Sequence, residues 1–139
     1  MPRLRAETRA RARALQALYA WDLRGGEPLD RVASQVWDDL AIAPDERAFA
    51  SQIVRVILAD GEEIDEALRD VTTNWRLERL SAIDRSVLRL AASELRIGET
   101  PPVTVIKEAI HLAERFGTDA SARFVNGVLD ALARRLGRI

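Results

Sequence analysis

The sequence predicts an all-α fold, a compact bundle of about seven helices arranged as two small bundles that share one central helix. Three observations carry this. Apolar residues recur at three- and four-residue spacing through every long segment, the period of a helix with one buried face. Glycine and proline fall between those segments, at Gly25-Gly26, Pro44, Gly61, Gly98, Pro101-Pro102 and Gly117, where helices end and begin. No run alternates with period two between hairpin turns, so no strand is predicted.

The first helix is expected from about Arg3 to Leu23, with Ala10, Ala14, Leu15, Ala17, Leu18 and Trp21 on its apolar face. Arg11 falls beside Leu18 on the same wheel, so either the first turns project past the core or Arg11 lies at its rim. Asp30 begins a second helix through Val32, Val36, Trp37 and Leu40. Pro44 occupies a first-turn position, and Phe49, Ile53, Val56 and Ile57 carry the third. Gly61 separates it from a fourth, marked by Ile64, Leu68 and Val71 and acidic outside. Trp75 to Leu80 reads as a short connector whose large aromatic is buried.

Ser81 caps the fifth helix, with Asp84 three residues later in a spacing like a capping box. Ile83, Val87, Leu88, Leu90, Ala91 and Leu95 cover about half its circumference, the breadth of a central helix packed on several sides. Glu94 lies inside that apolar arc. A buried carboxylate needs a charge partner or several hydrogen bonds, so an arginine is expected to reach it. Asp84, near the helix start, can face outward. The sixth helix follows Pro101-Pro102, with Val105, Ile106, Ala109, Ile110, Ala113 and Phe116 as its stripe; His111 is on its polar face and reads as a surface residue.

The last helix is opened by Thr118 or Asp119 and carries Val125, Val128, Leu129, Leu132 and Leu136 on one face. Gly127 sits mid-helix, where glycine costs about 1 kcal/mol relative to Ala. It points away from the stripe, so core packing does not explain it. Arg123, Phe124 and Asn126 share that flank, which has the look of a surface approached closely by something else. Two other readings stay open: an ordinary packed helix, and a turn at Asn126-Gly127.

Composition bounds the function. The chain of 139 residues is 47% hydrophobic and 31% charged, proportions of a globular domain rather than a disordered chain. There is no apolar run long enough to span a membrane, and no apolar segment follows the basic start, as a secretory signal requires. An Ala/Arg-rich start also fits a mitochondrial transit peptide. Cysteine is absent, which rules out disulfides, thiolate metal sites and a cysteine nucleophile. No phosphate-binding glycine loop or His-x-x-x-His pair occurs, so neither an enzyme reaction nor a cofactor is assigned. Net charge is −1, but the ends are basic and residues 60–70 are acidic, which suits one anionic partner and a second that tolerates acid. On the first helix Arg5, Arg9, Gln16 and Tyr19 share one strip. Guanidinium forks for phosphate, an amide for base edges and a ring for stacking are what RNA requires; a solvated helix face is the competing reading.

Three blocks resemble the NusB family of bacterial transcription antitermination factors: LQALYAWDL at 15–23, IDRSVLRLAASELR at 83–96, and PPVTVIKEAIHLAERFG followed by ARFVNGVLDALA between 101 and 133. The likeness covers essentially the whole chain and implies one NusB-like RNA- and protein-binding domain over residues 1–139, acting in the cytoplasm without catalysis. Family members pair with the ribosomal small-subunit protein NusE. The pair binds boxA RNA in leader and rRNA transcripts and helps hold RNA polymerase in a termination-resistant state. The resemblance implies phosphate contacts from Arg9 and Arg11, an RNA surface extended by Gln16, Tyr19 and Asp84, and a completing edge of Arg123, Phe124 and Asn126. NusE is expected on the acidic side, across the fourth to sixth helices. Some members form homodimers through the RNA-binding face. Glu7 and Thr8 interrupt a run that is more basic in relatives, and Val103 stands where relatives often have an aromatic. Two alternatives remain: the RNA-binding domain of an rRNA cytosine methyltransferase, which carries a catalytic domain beyond such a module, and a helical scaffold with no RNA role.

Overall fold

The structure, a computed structural model, describes residues 2–72 and 74–139, with side chains from Ala6 onward. Among the described residues the chain forms six α-helices and one 3-10 turn. The helices are α1 (Pro2–Arg24), α2 (Leu29–Leu40), α3 (Pro44–Val71), α4 (Ala82–Ile97), α5 (Pro102–Phe116) and α6 (Ser121–Arg135); the 3-10 turn is Leu77–Arg79. The first three pack together, the last three pack together, and α4 touches α1, α3, α5 and α6. It is the shared wall that its broad apolar face predicts. Val87, Leu88, Leu90, Ala91 and Leu95 are all buried, and a fully buried leucine stabilises by about 1.5–3 kcal/mol relative to an exposed one.

The expected third and fourth helices are one. Asp60 leaves helical geometry (φ −124°, ψ 21°), and the helix kinks there and continues. Gly61 does not adopt the left-handed conformation that closes many helices. The Asp60 carboxylate instead accepts a 2.9 Å hydrogen bond from Arg96 Nε of α4, which ties the bend to the central helix.

The last helix begins later than expected, at Ser121, with Ala120 rather than Thr118 or Asp119 before its first turn. Ser121 Oγ accepts from the Thr118 N–H at 2.9 Å. The turn is so tight that a Cβ on Gly117 would stand 2.7 Å from the Ser121 Cβ and 2.8 Å from the Ala113 carbonyl oxygen. Gly117 is thus required by close approach, not by φ, since its backbone is extended.

Trp75 is not buried as expected; it is 63% exposed. The connector is anchored instead by Leu77, which is 1% exposed. With that side chain taking the core position, the indole two residues earlier is left outside.

Candidate nucleic-acid interface

The exposed strip of α1 carries Arg9 and Tyr19, with Gln16 half-buried between them. Arg9 to Gln16 is seven residues, about 10 Å along the axis, and Tyr19 stands nearly one further turn on. Arg9 Nε donates to Glu46 Oε1 at 3.0 Å while its side chain stays 54% exposed. Glu46 also accepts from the Ala43 N–H at the start of α3, so Arg9 is held at one nitrogen with the rest of the fork outward. Gln16 Oε1 accepts from Arg13 Nη1 at 3.2 Å, which orients its amide. The side chains of Arg3 and Arg5, also expected in the basic start, lie outside the described residues.

Arg11 is not part of this surface. It is 1% exposed, and its fork donates to both oxygens of Glu94, at 2.7 and 2.8 Å, and to Glu108 Oε1 at 3.0 Å. Burial by itself lowers its pKa, but the hydrogen bond and charge of Glu94, with the charge of Glu108, outweigh it and the pKa is raised. A phosphate cannot reach a guanidinium enclosed in this way. The phosphate contact expected at Arg11 is therefore corrected: this is the arginine that the buried Glu94 required. Thr8, which interrupts the basic run, donates to the same Glu108 at 2.6 Å.

On α6, Arg123, Asn126 and Gly127 are exposed and Phe124 is half-buried against the core. The helix runs unbroken through Asn126-Gly127, so the turn reading falls. Apart from its chain neighbours and the helix's own backbone, no described atom stands within 4 Å of where a Gly127 Cβ would be. In the isolated chain the glycine is a pure cost to the helix. Gly127→Ala is therefore expected to raise the unfolding free energy by about 0.5–1 kcal/mol, read as a shift of the urea midpoint at unchanged slope.

The Phe124 ring meets Trp75 edge to face, with centroids 6.1 Å apart and planes at 77°. Sequence reasoning missed this neighbour because it took a large aromatic for a core residue. The available signal was its flanks, since the residues on either side of Trp75, Asn74 and Arg76, are both polar.

Asp84 stands at the start of α4. Its N–H donates to Ser81 Oγ at 3.1 Å, which is half of the expected capping box. The reciprocal bond is missing, and Asp84 Oδ1 is enclosed with no hydrogen-bond partner among the described residues. The next residue, Arg85, is a clamp. It grips both Asp22 oxygens on α1 at 2.7 Å and donates to the carbonyls of Leu77 and Leu80 at 3.1 and 2.7 Å. The structure thus joins the α1 strip and the α6 edge indirectly. Trp75 leans on α6, the connector leads to Arg85, and Arg85 holds α1. Among the described residues no hydrogen bond or ion pair links strip and edge directly.

Val103, which stands where relatives often have an aromatic, is 70% exposed. His111 is exposed as expected, 3.7 Å from the Glu114 carboxylate. No group of three or more His, Cys, Asp or Glu among the described residues could hold a metal ion, and no described helix is long and apolar enough to cross a membrane.

A sequence model of the NusB family matches residues 8–134. The transcription antitermination protein NusB of Sorangium cellulosum is 43% identical over 96% of this chain and 96% of its own length. That of Anaeromyxobacter dehalogenans is 45% identical over 93% and 91%. Among solved structures, T. maritima NusB superposes with a TM-score of 0.86 at 34% identity, over 92% of this chain and 90% of that one. A crystal structure of the antitermination factors NusB and NusE in complex with dsRNA gives a TM-score of 0.86 at 29% identity, over 94% and 98%. With the family match spanning nearly the whole chain and the same helical fold in its relatives, the chain belongs to the NusB family.

Proposed function

We propose that this chain is a non-catalytic RNA-binding transcription antitermination factor. With the ribosomal protein NusE it binds boxA RNA in rRNA leader transcripts and promotes processive transcription within the RNA polymerase antitermination complex. Family membership is the observation that carries this reading, with a related structure that holds NusB, NusE and dsRNA together. Residues 1–139 act as one RNA- and protein-binding domain in the cytoplasm. Arg9 supplies phosphate contact, Gln16 and Tyr19 extend the surface along α1, Asp84 marks the start of α4, and Arg123, Phe124 and Asn126 form the edge on α6. Arg9, Tyr19, Arg123 and Asn126 are all exposed, as that role requires.

The test is titration of fluorescent boxA RNA with this protein, alone and with NusE, at two salt concentrations. Tighter, boxA-selective binding in the presence of NusE is expected; no binding in either condition would leave a helical scaffold as the better account. Arg9→Gln, which keeps a donor for Glu46 but removes the charge, is expected to weaken binding and to flatten the log–log salt slope by about 0.7, the share of one phosphate on a single strand. Gly127→Ala is expected to weaken RNA binding while stabilising the protein, because the added methyl occupies the space where RNA approaches the helix.

A further inference from the structure

The connector between α3 and α4 forms an open cleft lined by Arg69, Asn74, Trp75, Arg76, Glu78 and Arg79. Its charge is unbalanced. Glu78 is engaged by Arg69 at 2.6 Å, and among the described residues neither Arg76 nor Arg79 makes an ion pair and the Asn74 amide has no hydrogen-bond partner. The Trp75 indole is braced edge to face by Phe124 yet remains 63% exposed. A tryptophan left in water forfeits the burial that a core position would give it, and an intramolecular role for this ring ends at the Phe124 contact.

We propose that this cleft is a subsite for an unpaired RNA base, with Trp75 as the stacking platform and Arg76 and Arg79 as contacts to the adjoining phosphates. It extends the RNA surface proposed above from α1 and α6 onto the connector, and it rests on that RNA-binding reading. The occupant follows from the chemistry. A flat open ring in a cleft shared with the Arg76 and Arg79 guanidinium groups and the Asn74 amide offers a stacking face, phosphate forks and a base-edge reader. A basic protein surface is disfavoured by the same charges. A paired base keeps its faces covered by its neighbours in the duplex, so the platform selects single-stranded RNA.

The experiment uses the full chain and a fluorescein-labelled single-stranded boxA RNA, with a 2-aminopurine series placed along the same sequence. Trp75→Ala is expected to weaken binding about five- to 150-fold, the range for loss of one base–aromatic stack, with the salt slope unchanged. Trp75→Tyr is expected to retain most of the affinity. One 2-aminopurine position is expected to be quenched by the wild type and not by Trp75→Ala. Arg76→Ala and Arg79→Ala are each expected to flatten the salt slope by about 0.7. Urea unfolding of Trp75→Ala separates a lost contact from a lost fold, since an exposed ring contributes little to stability. Wild type that binds RNA with Trp75→Ala binding equally well overturns this inference and leaves the proposed function standing. So does a Trp75→Ala protein that binds RNA normally but fails to hold NusE, which would make the cleft a protein contact. Wild type that binds no RNA at all removes both.

Discussion

Replacing Arg11 with Met is expected to destabilise the chain by about 3–5 kcal/mol in urea unfolding, the usual consequence of removing one partner from a buried ion pair. Glu94 is 3% exposed and its two oxygens are occupied by the same guanidinium. Without Arg11 it must stay charged and unpaired or take up a proton, and either state is costly in an apolar site. Glu108 suffers less, since it is 16% exposed and still accepts from Thr8. The pair itself is a different matter. Arg11→Met with Glu94→Met removes both charges and fills the site with similar volume, and is expected to recover most of the loss. RNA affinity of the folded single variant is expected to stay near that of the wild type with the same salt slope, in contrast to Arg9→Gln. A flattened slope for Arg11→Met would return Arg11 to the RNA surface and contradict its burial.

That pair also marks how far the sequence could be read. The need of Glu94 for an arginine was legible, because a carboxylate inside a broad apolar arc has few alternatives. The awkward position of Arg11 beside Leu18 was legible too. What joins them is the crossing of α1 over α4, a contact between residues 83 positions apart that no local period encodes. The helix ends at Gly25-Gly26, Gly98 and Pro101-Pro102 were readable because glycine and proline act on the backbone locally. Gly61 misled for the same reason: it accompanies a bend whose geometry is fixed by Arg96 from another helix. At the candidate interface, the outward flank of Arg123, Asn126 and Gly127 followed from rotation about one helix. The exposure of Trp75 did not, because it depends on which connector residue, Leu77 or Trp75, wins the core position.

Arg85→Met is expected to cost about 2–4 kcal/mol, within the range for truncating one partner of a hydrogen-bonded charge pair, and unlike Arg11→Met to reduce RNA affinity as well. The Arg85 side chain is 14% exposed and that of Asp22 12%, so solvent compensates little. The hydrogen bond to Asp22 raises the Arg85 pKa, burial opposes it and the Asp22 charge reinforces it, so the fork stays charged. Its loss leaves Asp22 with Arg89 at 3.3 Å, and it strips the donor shared by the Leu77 and Leu80 carbonyls. Those carbonyls belong to the connector that carries Trp75. The connector is therefore expected to open locally, read as faster amide hydrogen exchange over residues 76–80, and the aromatic platform loses its fixed position against Phe124. Arg85→Lys keeps the charge but not the fork that grips two carboxylate oxygens and two carbonyls at once, so it is expected to rescue less than half of the stability. Two variants of similar instability then separate the roles of a buried arginine and a partly exposed one. One supports the core alone, and the other also holds the connector in place. Unchanged exchange over residues 76–80 in Arg85→Met would show that the connector is set by Leu77 packing without the clamp.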